Sequence, residues 1–151
     1  MLRTVNSWLF FQMIDQRDET SALDFLDKGG FDIDYKTKGQ HGHITALHLA
    51  CKFGCVQVLQ TLIQYGAKLD AEEKEGNTPL HWACKNGQYE CANLLLRAGA
   101  PVDHPNDREW TPLFFAVQSK KPQIVKLLIE FEADINHCSN EDGSPIYLAV
   151  Q

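Results

Sequence analysis

Long hydrophobic runs are missing from this chain of 151 residues. The most apolar early stretch, Trp8 to Ile14, covers seven residues and contains Gln12. A helix crossing a membrane needs about 20 apolar residues. No small-residue cleavage site follows the stretch, so it does not read as a signal peptide either. It is expected to be core, and no direct membrane insertion is expected. A surplus of positive charge is missing too: the formal net charge is −6 and the pI about 5.4. An acidic chain releases no counterions from a phosphate backbone, so nucleic acid is not an expected partner. The densest basic feature, Lys120-Lys121, is too short to hold a charged membrane surface. Catalytic motifs are absent as well. There is no nucleophile motif with a base, no Gly-rich phosphate loop after a strand and no H-E-x-x-H pair. No enzyme activity and no cofactor are expected.

What is present is a phrase that returns. Thr45-Ala46-Leu47-His48, Thr78-Pro79-Leu80-His81, Thr111-Pro112-Leu113-Phe114 and Ser144-Pro145-Ile146-Tyr147 each begin 33 residues after the one before. A fixed period of this length marks a repeat architecture, whose function is sought on a surface rather than in a pocket. Within each period the residues predict a helix, a tight turn, a second helix and an extended connector. Thr78 is suited to cap a helix, and Pro79 to its first position, where a missing N–H costs nothing. Gly87 closes that helix, because glycine adopts the left-handed conformation without a Cβ penalty. Tyr89 to Ala98 then carry Cys91, Ala92, Leu94, Leu95 and Leu96 at helical spacing, up to Gly99. The same reading places helices over 45–52 and 56–65, and over 111–119 and 122–131.

These motifs, kept in phase, resemble the ankyrin repeat: the T-P-L-H-x-A helix start, a glycine closing the first helix, an L-L-L stretch and a G-A-D-x-N connector. Gly66-Ala67-Lys68-Leu69-Asp70 and Gly99-Ala100-Pro101-Val102-Asp103 stand where that connector belongs. The resemblance covers about residues 40 to 151 and implies an all-α solenoid of about four helix-turn-helix units plus half of a fifth. The expected division is 1–39 as an atypical capping unit, then 40–72, 73–105, 106–138 and a partial 139–151. The first unit fits with a shift of 36: Leu26 matches Leu62 and Gly30 matches Gly66. Three extra residues then fall in the connector Lys36 to Ile44. The first helix, about Ser7 to Gln16, keeps none of the T-P-L-H phrase. At the other end, Gln151 stops inside a first helix, leaving Ile146, Leu148 and Val150 uncovered; the chain is read as the N-terminal piece of a longer protein.

The fourth unit departs from the pattern at Phe114, Lys120 and Glu132, which replace a histidine and two glycines. A left-handed backbone at a non-glycine residue costs about 1–2 kcal/mol, so this unit is expected to be the softest. The five cysteines lack framework spacing. Cys51 and Cys84 fall on neighbouring equivalent helices, whose axes pack about 8–10 Å apart, whereas a disulfide needs Cα atoms within about 7 Å. Cys91 takes the place of Val58 and Ile124 and should be buried, leaving Cys138 as the expected exposed thiol. Reduced thiols point to a reducing compartment, cytoplasmic or nuclear.

The resemblance implies a structural role for His48 and His81, bonded to neighbouring turn backbone. His41-Gly42-His43 alone has too few ligands for a transition metal, so no metal site is expected. The resemblance also implies a concave face lined by connector tips and first helices. There the tips offer Ile44, Asn77 and Trp110, with Glu75 and Arg108, and the helices offer Lys52, Phe53, Lys85, Asn86, Gln118 and Ser119. Trp110 stands out, since Asn77 and Gly143 hold the equivalent places; Trp110→Ala is expected to weaken binding at least tenfold with stability nearly intact. Trp82 and Phe115 are expected to pack between units. Asn136, in Glu132-Ala133-Asp134-Ile135-Asn136, resembles the asparagine that ankyrin proteins present for hydroxylation. The expected function is a monomeric, non-enzymatic scaffold or adaptor binding a protein or peptide. The alternative is a targeting or regulatory domain of a longer enzyme, channel or secreted effector.

Overall fold

A computed structural model of the chain describes residues 2–38 and 42–137. Among the described residues there are eight helices and no strand: α1 (Leu2–Asp15), α2 (Glu19–Lys28), α3 (Ala46–Phe53), α4 (Val56–Gln64), α5 (Pro79–Asn86), α6 (Tyr89–Arg97), α7 (Pro112–Gln118) and α8 (Pro122–Glu130). The odd-numbered helices touch their odd-numbered neighbours in one row, and the even-numbered helices form a second row behind them. Each hairpin covers the flank of the next.

Local chemistry sets the helix ends. Thr45, Thr78 and Thr111 hold extended backbone ahead of α3, α5 and α7, and proline opens α5, α7 and α8. Gly54 and Gly87 close the first helices in the left-handed region, and Lys120 takes the same conformation (φ 54°) in the fourth unit. Glu132 does so (φ 64°) where Gly66 and Gly99 stand in the units before it. The even-numbered helices bury one stripe each: Val58, Leu59 and Leu62 in α4; Cys91, Ala92, Leu95 and Leu96 in α6; Ile124, Leu127 and Leu128 in α8. Burying one such side chain contributes about 1.5–3 kcal/mol before ordering entropy is subtracted.

The first unit differs from its sequence reading. Helix α1 begins at Leu2 rather than near Ser7, since no breaker interrupts residues 2–6 and two polar side chains dock the extra turn. Asn6 Nδ2 donates to the Gly30 carbonyl at 3.2 Å, and the Asp32 N–H donates to Ser7 Oγ at 2.8 Å. The run Trp8 to Ile14 is core only in part. Phe10, Phe11 and Ile14 are buried, whereas Trp8 and Leu9 are 49% and 39% exposed, because a helical run turns consecutive residues to different faces. Phe10, Phe25 and Phe31 form an aromatic cluster, with Phe10 and Phe31 centroids 4.8 Å apart.

The connectors fold into hairpins at their tips. Glu73 N–H donates to the Asn77 carbonyl, and Asn106 N–H to the Trp110 carbonyl. In the first connector the same bond joins Thr37 and Ile44, at a separation of seven residues instead of four, which locates the three extra residues in that hairpin. Successive tips are joined by Lys74 N–H to Gly42 O and Asp107 N–H to Glu75 O, each 3.0 Å. Cys51, Cys55, Cys84 and Cys91 are buried free thiols. Burial first and Glu19 second push Cys55 up to about 11, and burial first, then Cys55, Glu19 and Glu90, push Cys91 up to about 12. Burial alone pushes Cys84 up, and burial first, with the thiols of Cys91, Cys84 and Cys55 beside it, raises Cys51. None is a thiolate near neutrality. His41, Cys138, the half-repeat through Gln151 and its Ser144-Pro145 start lie outside the described residues.

Candidate partner-binding groove

Two histidines fix the register between hairpins and helices. Nδ1 of His48 accepts from the Thr45 N–H at 3.2 Å and lies 2.8 Å from Thr45 Oγ1, while Nε2 lies 2.9 Å from the Asn77 carbonyl. His81 repeats this one unit on, with Thr78 N–H at 3.0 Å and the Trp110 carbonyl at 3.0 Å. A carbonyl only accepts, so Nε2 carries the proton and Nδ1 is the acceptor. Burial is the main reason that His48 is pushed down to about 4 and His81 to about 3. Both rings are neutral spacers fastening one unit to the tip of the next, so the structural role read from the sequence holds.

In front of this row lies an open groove of about 300 Å³, lined by Lys52, Glu73, Glu75, Asn77, His81, Trp82, Lys85, Asn86 and Phe115. It spans three units and brings together five residues expected at the partner surface: Lys52, Glu75, Asn77, Lys85 and Asn86. Trp82 is half-buried, its ring edge-on to His48 at 5.5 Å, and Phe115 meets His81 in the same way at 5.7 Å. Both pack between units, as expected, and both also line the groove. The sequence reading did not place them there, although their shared position in α5 and α7 was visible.

The tips are less exposed than their sequence suggested. Ile44 and Asn77 are buried. Asn77 Nδ2 donates to Glu73 Oε1 at 2.7 Å and Asn77 Oδ1 accepts from Asn106 at 2.8 Å, so its side chain ties one hairpin to the next. Trp110 is half-buried: its ring stacks on Phe114 at 4.6 Å, meets Phe115 edge-on at 5.6 Å and lies under the Arg108 guanidinium at 5.0 Å. The indole therefore has a packing reason in this unit, supplied by the phenylalanine that replaces histidine. Arg108 and Glu75 share a second open groove with Lys74 and Asp107 along the tips. Phe53 is half-buried between Arg17 and Lys52, whose charged ends lie 5.1 and 5.0 Å from its ring centre. Gln118 lines a separate concavity at the far end of the stack, with Val117, Val125 and Ile129. Ser119 caps α7. Asn136 is exposed, its N–H donating to Asp134 Oδ1 at 2.9 Å.

Among the described residues no three His, Cys, Asp or Glu side chains converge as metal ligands, and no helix is long and apolar enough to cross a membrane. The sequence matches the family described as ankyrin repeats (3 copies) over residues 10–106 and 94–151. Rabankyrin-5 of Mus musculus is 31% identical over 80 residues, a stretch covering 47% of this chain and 7% of that protein. Rabankyrin-5 of Homo sapiens is 32% identical over 80 residues, with the same shares. The match thus spans only a small part of either relative's length. With its capped helix pairs in two rows, its histidine-fastened hairpins and this match over most of its length, the chain belongs to the ankyrin repeat family.

Proposed function

We propose that the chain is a non-enzymatic module that holds a protein or peptide partner in the groove between the hairpin tips and helices α3, α5 and α7. The observation that carries this reading is the meeting in one groove of residues from three successive units, with a half-buried Trp82 between exposed charges. Aromatic anchors in such settings cost about 2 kcal/mol or more of binding energy on truncation. The module acts as a monomeric scaffold or adaptor, and its buried free thiols suit a reducing compartment, cytoplasm or nucleus. Lys52, Lys85, Asn86 and Glu75 contact the partner directly; Arg108 and Trp110 extend the surface along the tips. The test is photo-cross-linking from a probe at Lys85 in cells, comparing wild type with Trp82→Ala. Specific adducts that vanish in the variant support the reading. Adducts unchanged by Trp82→Ala in a variant that still melts cooperatively would overturn it.

A second reading makes the same groove the targeting or regulatory part of a longer enzyme, channel or secreted effector. The small share of each relative's length covered by the match favours it. The mass of the endogenous protein, detected with an antibody to residues 42–137, decides between the two.

A further inference from the structure

The groove has opposite charges at its two ends. Lys52 and Lys85 occupy the last turns of α3 and α5, while Glu73 and Glu75 stand on the hairpin at the other end. From Thr78 to Lys85 the helix rises about 10 Å, at about 1.5 Å per residue. Trp82 lies between. Among the described residues Lys52, Lys85 and Glu75 form no ion pair. The lysine heads are exposed, each set over an aromatic ring: Lys52 over Phe53 at 5.0 Å and Lys85 over Phe115 at 5.8 Å. Glu73 is committed on one side, its Oε1 accepting from the N–H groups of Glu75 and Asn77 at 3.1 and 3.0 Å. That leaves Glu75, exposed, as the freer carboxylate.

Resting on the groove reading above, we propose that its occupant is an extended peptide segment with a fixed charge order. A large apolar side chain sits on Trp82, an acidic residue on one side of it meets Lys52 and Lys85, and a basic residue on the other side meets Glu75. An extended chain advances about 3.3 Å per residue, so the helix alone, about 10 Å long from Thr78 to Lys85, sets the acidic and basic residues three or more positions apart. A uniformly acidic or basic segment would gain at one end of the groove and be repelled at the other, and like charges in an interface discriminate more than matched charges attract. The charge pattern thus selects a partner's local sequence and its chain direction together.

The test is selection of a randomised peptide library displayed on phage against the whole chain. Affinities of the enriched peptides are then measured by fluorescence anisotropy. Enriched sequences are expected to carry one large apolar residue between an acid and a base. The double variant Lys52→Glu, Lys85→Glu should weaken binding about tenfold or more, and changing the peptide's acidic residue to lysine should restore it. Glu75→Lys should act on the basic side only. All three residues are exposed, and the melting temperature of each variant verifies that the fold is intact. Absence of enrichment, enrichment of peptides of one charge sign, or affinities indifferent to both reversals overturns the charge order. Binding that depends on Trp82 yet ignores the reversals defeats this proposal alone, whereas binding indifferent to Trp82→Ala defeats the groove reading beneath it.

Discussion

The buried hydroxyl of Thr111 has no hydrogen-bond partner among the described residues, and the cause stands three positions on, at Phe114. In the two preceding units the same hydroxyl meets a histidine nitrogen, Thr45 with His48 at 2.8 Å and Thr78 with His81 at 2.9 Å. Phe114 offers no acceptor and instead stacks on Trp110. An unsatisfied buried polar group costs about 1–3 kcal/mol. Thr111→Val, which keeps the shape, is therefore expected to be neutral or to stabilise by up to about 1 kcal/mol, whereas Thr78→Val should cost about 1–2 kcal/mol. Urea denaturation of both variants checks the contrast; equal losses would contradict it.

Acid should loosen the stack through its buried histidines. His48 and His81 are held at about 4 and 3 in the folded chain, against an ordinary 6.5. Below 6.5 the unfolded chain takes up protons at both rings while the folded chain refuses them. The stabilisation is thus complete above 6.5 and is lost as pH falls toward 4 for His48 and 3 for His81. Each ring contributes a slope of up to about 1.4 kcal/mol per pH unit. Unfolding free energies measured from pH 7 down to about 5, above most carboxylate titration, should fall; a flat profile there would mean the rings are not neutral spacers.

Left-handed residues mark where glycine is needed and where it is missing. At Gly76 (φ 76°) an added Cβ would come within 2.8 Å of the Asp107 backbone nitrogen, because the next hairpin bonds against this one. Gly76→Ala is expected to cost about 2 kcal/mol or more. Lys120→Gly should instead stabilise by about 0.5–1 kcal/mol, relieving a strained φ at some gain in unfolded-state entropy. Amide exchange should show α7 and α8 less protected than α5 and α6, and the gap should narrow in Lys120→Gly.

Trp110 and Lys85 are expected to respond differently to truncation. Trp110 is held by Phe114, Phe115 and Arg108, so Trp110→Ala should lower stability by about 1.5–3 kcal/mol as well as any partner affinity. That departs from the near-neutral stability expected from sequence. Lys85→Ala, at an exposed groove residue, should change affinity with the melting temperature within a degree or two of wild type, since exposed substitutions stay within about 0.5 kcal/mol.

We propose Asn136 as a hydroxylation site: it is exposed, in the connector after α8, with its N–H donating to Asp134 Oδ1. Incubation with an asparaginyl hydroxylase of ankyrin proteins should add one oxygen at Asn136 and none at Asp70 or Asp103. Peptide mass spectrometry reads the site directly, and an unmodified Asn136 after full turnover of a control substrate would dismiss it.

Much of this architecture is legible along the chain because it is made of local decisions repeated in phase. Thr-Pro starts, left-handed glycines and the Cys91–Leu95–Leu96 stripe each act within a few residues, and the period repeats their outcome. Helix ends from sequence and structure agree within one or two residues from α3 to α8. The disagreement at α1 arises where no cap or breaker exists and contacts to Gly30 and Asp32, distant in sequence, set the start.

The amino-acid sequence by itself determined the repeat, the two helices per unit and the three-residue insertion in the first connector, while the roles of His48 and His81 were implied by the family resemblance. The first three have a local cause, backbone preference and side-chain periodicity, which hold whatever lies nearby. The tertiary structure alone decided which side chains line the groove. Asn77 and Trp110 hold equivalent places at the tips, but one is tied into neighbouring hairpins and the other lies against Phe114. Trp82, spaced like a core residue, also lines the groove. Exposure depends on local neighbours such as Phe114 and also on how units meet, through atoms as far apart in sequence as the 29 residues between His48 and Asn77.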